Sequence, residues 1–126
     1  MTREPHILLV EDDEPLARIL AAHLRAYGYV VTVAPTAEAA QAELAAGIRP
    51  GIVLLDINLP GQTGWSLVKS DALLAAGDPP VVVASAMTVS PARLREAGVA
   101  GYLPKPFALE TLRSTLERLL HQETDA

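Results

Sequence analysis

The stretch Ile52-Val53-Leu54-Leu55-Asp56-Ile57-Asn58-Leu59-Pro60-Gly61-Gln62-Thr63-Gly64 decides the fold. Four consecutive apolar residues, β-branched ones first, predict a strand buried on both faces. Such a run ordinarily closes on an apolar residue or a turn, yet this one closes on Asp56, followed by a turn carrying Pro60 and two glycines. A carboxylate there is costly unless it is ionised at a solvated crevice or bound to something positive. Asp56 is therefore a candidate site residue, and other segments must supply its partners.

Working outward, His6-Ile7-Leu8-Leu9-Val10 predicts a first buried strand that runs straight into Glu11-Asp12-Asp13-Glu14. Pro15 suits a first helical turn, and Leu16, Ile19, Leu20, His23, Leu24 and Tyr27 recur at helical spacing, so a helix is expected from Glu14 to Tyr27, ending at Gly28. Val30 to Ala34 reads as strand two, and Thr36 as the cap of an Ala-rich helix with Ala37, Ala40 and Leu44 on one face. A third helix is expected from beyond Gly64 to about Ala75, its periodicity blurred by Ser70 and Asp71. Val81 to Ser85 predicts strand four, also ending in a polar residue. Ser90-Pro91 opens a short helix to Ala97. Then come a brief strand Gly101-Tyr102-Leu103, the tripeptide Pro104-Lys105-Pro106, a helix with Leu109, Leu112, Leu116, Leu119 and Leu120 inward, and a frayed tail from Gln122.

Strands this apolar, alternating with helices, specify an α/β fold: one five-stranded, doubly wound parallel sheet with five helices. Right-handed crossovers favour strand order 2-1-3-4-5, which sets strands one and three side by side at the switch point. The crevice there receives Glu11, Asp12 and Asp56 together.

At 126 residues the chain has room for one ordinary domain, and half of it is hydrophobic. A formal net charge of -5, with ten scattered basic residues, argues against direct binding to nucleic acid. The absence of cysteine excludes disulfides and Cys-ligated metals. No signal peptide or membrane span can be read at the amino end, so a soluble, cytoplasmic protein is expected.

Clustered carboxylates repel, and a divalent cation between them removes that cost. Mg²⁺ (or Mn²⁺) suits a site of oxygen ligands, whereas His6, His23 and His121 lie outside the cluster and zinc is disfavoured. Asp13 and Glu14 are equally well read as a helix amino terminus. An Asp beside Mg²⁺ can act as a nucleophile toward a phosphoryl group, with the Ser85 hydroxyl and the Lys105 ammonium offered to its oxygens from later strand ends.

With these residues in place the sequence resembles the receiver domains of response regulators, the CheY-like superfamily of two-component signalling. The resemblance runs from Ile7 to Leu120 and rests on Leu8-Leu9-Val10-Glu11-Asp12-Asp13, Leu55-Asp56-Ile57-Asn58-Leu59-Pro60-Gly61 with Gly64, Ser85-Ala86, and Gly101-Tyr102-Leu103-Pro104-Lys105-Pro106-Phe107. It implies a flavodoxin-like receiver domain over residues 1–121, with 122–126 as a carboxyl-terminal tail. Asp56 is then the phosphoacceptor of a phosphorelay, supplied by a histidine kinase, a phosphotransfer protein or a small phosphodonor. Asp12 is a direct Mg²⁺ ligand, Glu11 acts through water, and Asp56 and the backbone carbonyl of Asn58 complete the metal set. Ser85 and Tyr102 are the switch pair, with Ser85 and Lys105 gaining a partner only on phosphorylation, and a cis Lys105-Pro106 bond is implied.

The resemblance further implies an output face of helix four, strand five and helix five. Its implied partners are a downstream effector and a phosphorylation-dependent homodimer, with neither nucleic acid nor membrane contacted by this domain. A classical-enzyme role is not implied. Two departures stand out: the segment from Ser85 to Gly98 is shorter than usual, and Val99-Ala100 replaces the acidic residue of many DNA-binding members. Other readings are an aspartyl-phosphate phosphatase of the haloacid-dehalogenase kind, a flavin or nucleotide carrier, and a degenerate receiver serving only for interaction. The first expects an Asp where Asn58 stands; the second expects a Gly-rich loop after strand one.

Overall fold

The computed structural model describes residues 5–59 and 63–122. In chain order the elements are β1 (His6–Val10), α1 (Glu14–Ala26), β2 (Val30–Ala34), α2 (Ala37–Ala45), β3 (Ile52–Asp56), a 3-10 turn (Gly64–Ser66), α3 (Asp71–Ala75), β4 (Val81–Ser85), α4 (Pro91–Ala97), β5 (Gly101–Pro104) and α5 (Leu109–Gln122). All the strand pairings are parallel, in the order β2-β1-β3-β4-β5, so the expected doubly wound sheet is the one found.

The period-two alternation of each strand divides the core into two layers. Ile7, Leu9, Ile52, Leu54, Val82 and Ala84 face α1 and α5, where they meet Leu20, Leu24, Leu112 and Leu116. Leu8, Val10, Val53, Leu55, Val81 and Val83 face the other way, against Ala37, Ala40, Leu44, Leu67 and Leu73. With no solvated face on the central strands, polar side chains can stand only at their ends. Among the described residues the buried polar ones, Glu11, Asp56 and Ser85, all stand at the carboxyl edge.

Helix starts follow the expected caps at Thr36 and Ser90, and Asp13 caps α1. The side chains of Asp13, Thr36 and Ser90 accept from the backbone N–H groups of Leu16, Ala39 and Arg93, which satisfies amides that have no partner within the helix.

Five expectations need correction. Helix α1 stops at Ala26 with Tyr27 as its cap, and its buried stripe is Ala17, Leu20, Ala21 and Leu24. Ile19, counted from its spacing as a core residue, is 58% exposed because it lies one position off that stripe. The third helix is broken. A 3-10 turn at Gly64–Ser66 is followed by Lys69 at φ 61°, and Ser70 caps a separate helix over Asp71–Ala75 by accepting from the N–H of Leu73. The two polar residues that blur the helical pattern are thus a start signal. Strand β5 runs one residue further than expected, to Pro104. Gln122, read as the first residue of the tail, closes α5. The expected turn at Pro60-Gly61 and the tail from residue 123 lie outside the described residues.

Gly64 is fixed by close approach. A Cβ there would lie 2.5 Å from the carbonyl oxygen of Asp56 and 2.9 Å from Cα of Ile57, both backbone atoms. The Gly64 N–H also donates to the Ile57 carbonyl at 2.9 Å. Gly64→Ala is expected to destabilise the fold by about 1–3 kcal/mol, the usual cost of forcing atoms into filled space. Urea unfolding followed by circular dichroism measures this.

Candidate functional site

The parallel sheet brings the ends of β1, β3 and β5 to one crevice. Glu11 follows β1 and is 3% exposed; Asp56 ends β3 and is 6% exposed. Lys105 follows β5, where its N–H donates to the Ser85 carbonyl at 2.9 Å, anchoring it to the end of β4. Its Nζ donates to Glu11 Oε1 at 2.5 Å and to Asp56 Oδ2 at 3.1 Å. The other oxygens are also engaged: Asp56 Oδ1 accepts from the Asn58 N–H at 3.0 Å, and Glu11 Oε2 from the Asp13 N–H at 3.2 Å.

Asp12 is exposed beside this pair. Carboxylate oxygens of Glu11, Asp12 and Asp56 all lie within 4.8 Å of one another. Three carboxylates against one ammonium leave an excess of negative charge when all are ionised, and this donor set of hard oxygens fits Mg²⁺. The histidines take no part in the cluster, as expected. Asp13 and Glu14 belong to the helix: the first caps α1 and the second pairs with Arg18.

Burial governs the electrostatics. It pushes the Glu11 carboxyl up from 4.5 to about 7, against the opposing bond from Lys105. Burial pulls the Lys105 ammonium down, but the bonds to Glu11 and Asp56 prevail and hold it above its ordinary value.

Ser85 is 1% exposed and closes β4. Its Oγ accepts from Asn58 Nδ2 at 3.2 Å and from the Met87 N–H at 3.0 Å. Tyr102 is half-buried, and its hydroxyl donates to the Met87 carbonyl at 3.3 Å. The Lys105-Pro106 bond is cis. One implied feature is overturned: Ser85 and Lys105 have partners already, because two buried carboxylates recruit the nearby ammonium and a buried hydroxyl must be hydrogen-bonded.

Sequence reasoning weighed the Asn58 side chain only as a missing second acid and missed its bond to Ser85. It also missed Arg93, whose guanidinium lies 4.3 Å over the Trp65 ring. Trp65, Asn58, Ser85 and Arg93 line one open cleft of about 390 Å³ beside the cluster.

A profile of the response regulator receiver domain matches residues 7–117. The transcriptional activator protein PfeR of Pseudomonas aeruginosa is 39% identical over 121 residues, covering 94% of this chain and 38% of its own length. Chemotaxis protein CheY4 of Vibrio cholerae shares the fold with a TM-score of 0.82 at 30% identity, over 93% of this chain and 99% of that one. TrrA of Thermotoga maritima, solved with Mg²⁺ and BeF, matches in fold with a TM-score of 0.79 at 24% identity, over 91% of this chain and 98% of that one.

The chain belongs to the response regulator receiver domains of two-component signalling. Such domains are regulatory modules. The chain spans 38 to 51% of the length of the curated relatives PfeR, PetR, YvcP and MprA. Among the described residues no helix is long and apolar enough to cross a membrane.

Because the folded-state pKa of Glu11 is raised, its contribution to stability is fully present below about 4.5 and is lost as pH rises through about 7. Thermal melts of metal-free protein across that window are expected to lose this component of the slope in Glu11→Gln. An unchanged slope would contradict the burial argument.

Proposed function

We propose that Asp56 is the phosphoacceptor of a two-component phosphorelay. The observation that carries this reading is a buried strand-end carboxylate held between the Asn58 N–H and the Lys105 ammonium, with two further acids at its side. A carboxylate oxygen of Asp56 forms the new P–O bond as the P–N bond of a phosphohistidine breaks. The departing imidazole keeps the electron pair and takes up a proton. With a small acyl phosphate as donor, the bond that breaks is the acyl P–O bond and a carboxylate leaves.

Asp12, Asp56 and the backbone carbonyl of Asn58 would hold Mg²⁺ (or Mn²⁺), with Glu11 acting through water, and the ion's contribution is neutralisation of charge on the transferring group. Lys105 shifts from carboxylate to phosphoryl oxygen, and Ser85 offers its hydroxyl, so both exchange existing partners for a group carrying roughly -1.5 to -2 charges. That exchange biases the loops after β4 and β5, and Tyr102, bonded to the Met87 carbonyl, carries the shift to the face formed by α4, β5 and α5. An effector docks there, or a second copy in the phosphorylated state.

The donor protein has a surface at hand. An apolar groove of about 400 Å³ beside Lys105 is lined by Leu16, Ile19, Leu20, Phe107 and Leu109. The exposed Ile19, unexplained as a core residue, has its place on this rim.

Incubation with Mg²⁺ and acetyl phosphate is expected to add one phosphoryl group per chain to the native protein and none to Asp56→Asn. Lys105→Ala is expected to slow the reaction roughly ten- to a hundredfold, the worth of one charge-assisted hydrogen bond. Phosphate-affinity electrophoresis reads both, and label retained by Asp56→Asn would overturn the assignment.

A further inference from the structure

The sequence gives Asn58 a role only through its backbone carbonyl, yet its side chain makes the more specific contact. Nδ2 reaches from the loop after β3 to Ser85 Oγ at the end of β4, 3.2 Å away. The Met87 N–H reaches the same oxygen at 3.0 Å. A hydroxyl has two acceptor lone pairs and one proton. With both lone pairs engaged, Ser85 can enter a further bond only as a donor. The two incoming N–H groups also occupy directions the proton would otherwise take, so its orientation is restricted.

The same residue fixes the other reactant. The Asn58 backbone N–H holds Asp56 Oδ1 at 3.0 Å, so a single residue bridges the carboxylate and the hydroxyl. Ser85 is buried, which shields its bonds from competing water, and a donor that is also an acceptor is polarised further. Asn58 is itself exposed, so truncating it opens no cavity in the core.

We propose that the side-chain amide of Asn58 is a positioning residue that presets the Ser85 hydroxyl as a hydrogen-bond donor toward an anionic oxygen carried on Asp56. This rests on the phosphoacceptor reading of Asp56. Asn58 acts through Ser85, and the consequence is a specific non-additivity: the amide matters only while the hydroxyl is present.

The test is a double-mutant cycle of the native chain, Asn58→Ala, Ser85→Ala and the double variant. Each is titrated with beryllofluoride in the presence of Mg²⁺, and the bound fraction is read by fluorine NMR. Asn58→Ala is expected to weaken binding about five- to tenfold, in line with one net hydrogen bond. In the Ser85→Ala background the same change is expected to move affinity less than about twofold. Equal losses in both backgrounds, or no loss in the first, would overturn the proposal while leaving Asp56 as phosphoacceptor. Failure of the native chain to bind beryllofluoride would remove the phosphoacceptor reading, and this inference with it.

Discussion

The ammonium of Lys105 holds together two carboxylates that the chain supplies 94 and 49 residues earlier. Glu11 and Asp56 are both nearly out of solvent, and two such acids without a cation would repel and lose their hydration. Everything else in the fold serves to bring these groups to one edge. Parallel strands all point their carboxyl ends the same way, and β1 and β3 are neighbours where the strand order reverses. The acids are therefore consecutive in space although remote in sequence. Lys105 reaches them because its backbone N–H is pinned to the end of β4.

Most of this was legible in the residues for a simple reason: buried parallel strands have no polar face, so Asp56 and Ser85 stood out as exceptions at the ends of apolar runs. The caps at Thr36 and Ser90 were legible because they use local hydrogen bonds. What failed depended on distant neighbours. Ile19 fits a helical repeat about as well as Leu20, and only the seating of α1 against the sheet decides which faces inward. The break before α3 is the exception: it turns on a local cap, Ser70, whose position suggested helix interior. The Asn58 amide meets Ser85 across 27 residues, a contact set by the pairing of β3 with β4.

The surroundings of Asp56 differ on its two sides. Asp56 is tied to the layer beneath it, since Gly64 packs directly on its backbone. The short α4 is tethered at both ends to the segment that follows β3: Arg93 stacks over Trp65, and Lys69 Nζ donates to the Glu96 carbonyl at 3.1 Å. By contrast Ala86, Met87 and Thr88 are exposed, and single hydrogen bonds link Ser85 and Tyr102 to Met87. On the proposed reading, a phosphoryl group on Asp56 would sit between a carboxylate packed on Gly64 and an exposed loop, an arrangement that suits a population shift.

The central claim, that Asp56 is the group esterified in this pocket, is tested most directly by reductive trapping. Protein treated with acetyl phosphate and Mg²⁺ is reduced with borohydride, which converts an aspartyl phosphate to homoserine, and the modified peptide is located by mass spectrometry. The account requires homoserine at position 56 and at no other acid. Homoserine at position 12 or 13 instead, the five-carbon hydroxy amino acid that reduction of a phosphorylated Glu11 would give, or no reduced acid at all, would contradict it.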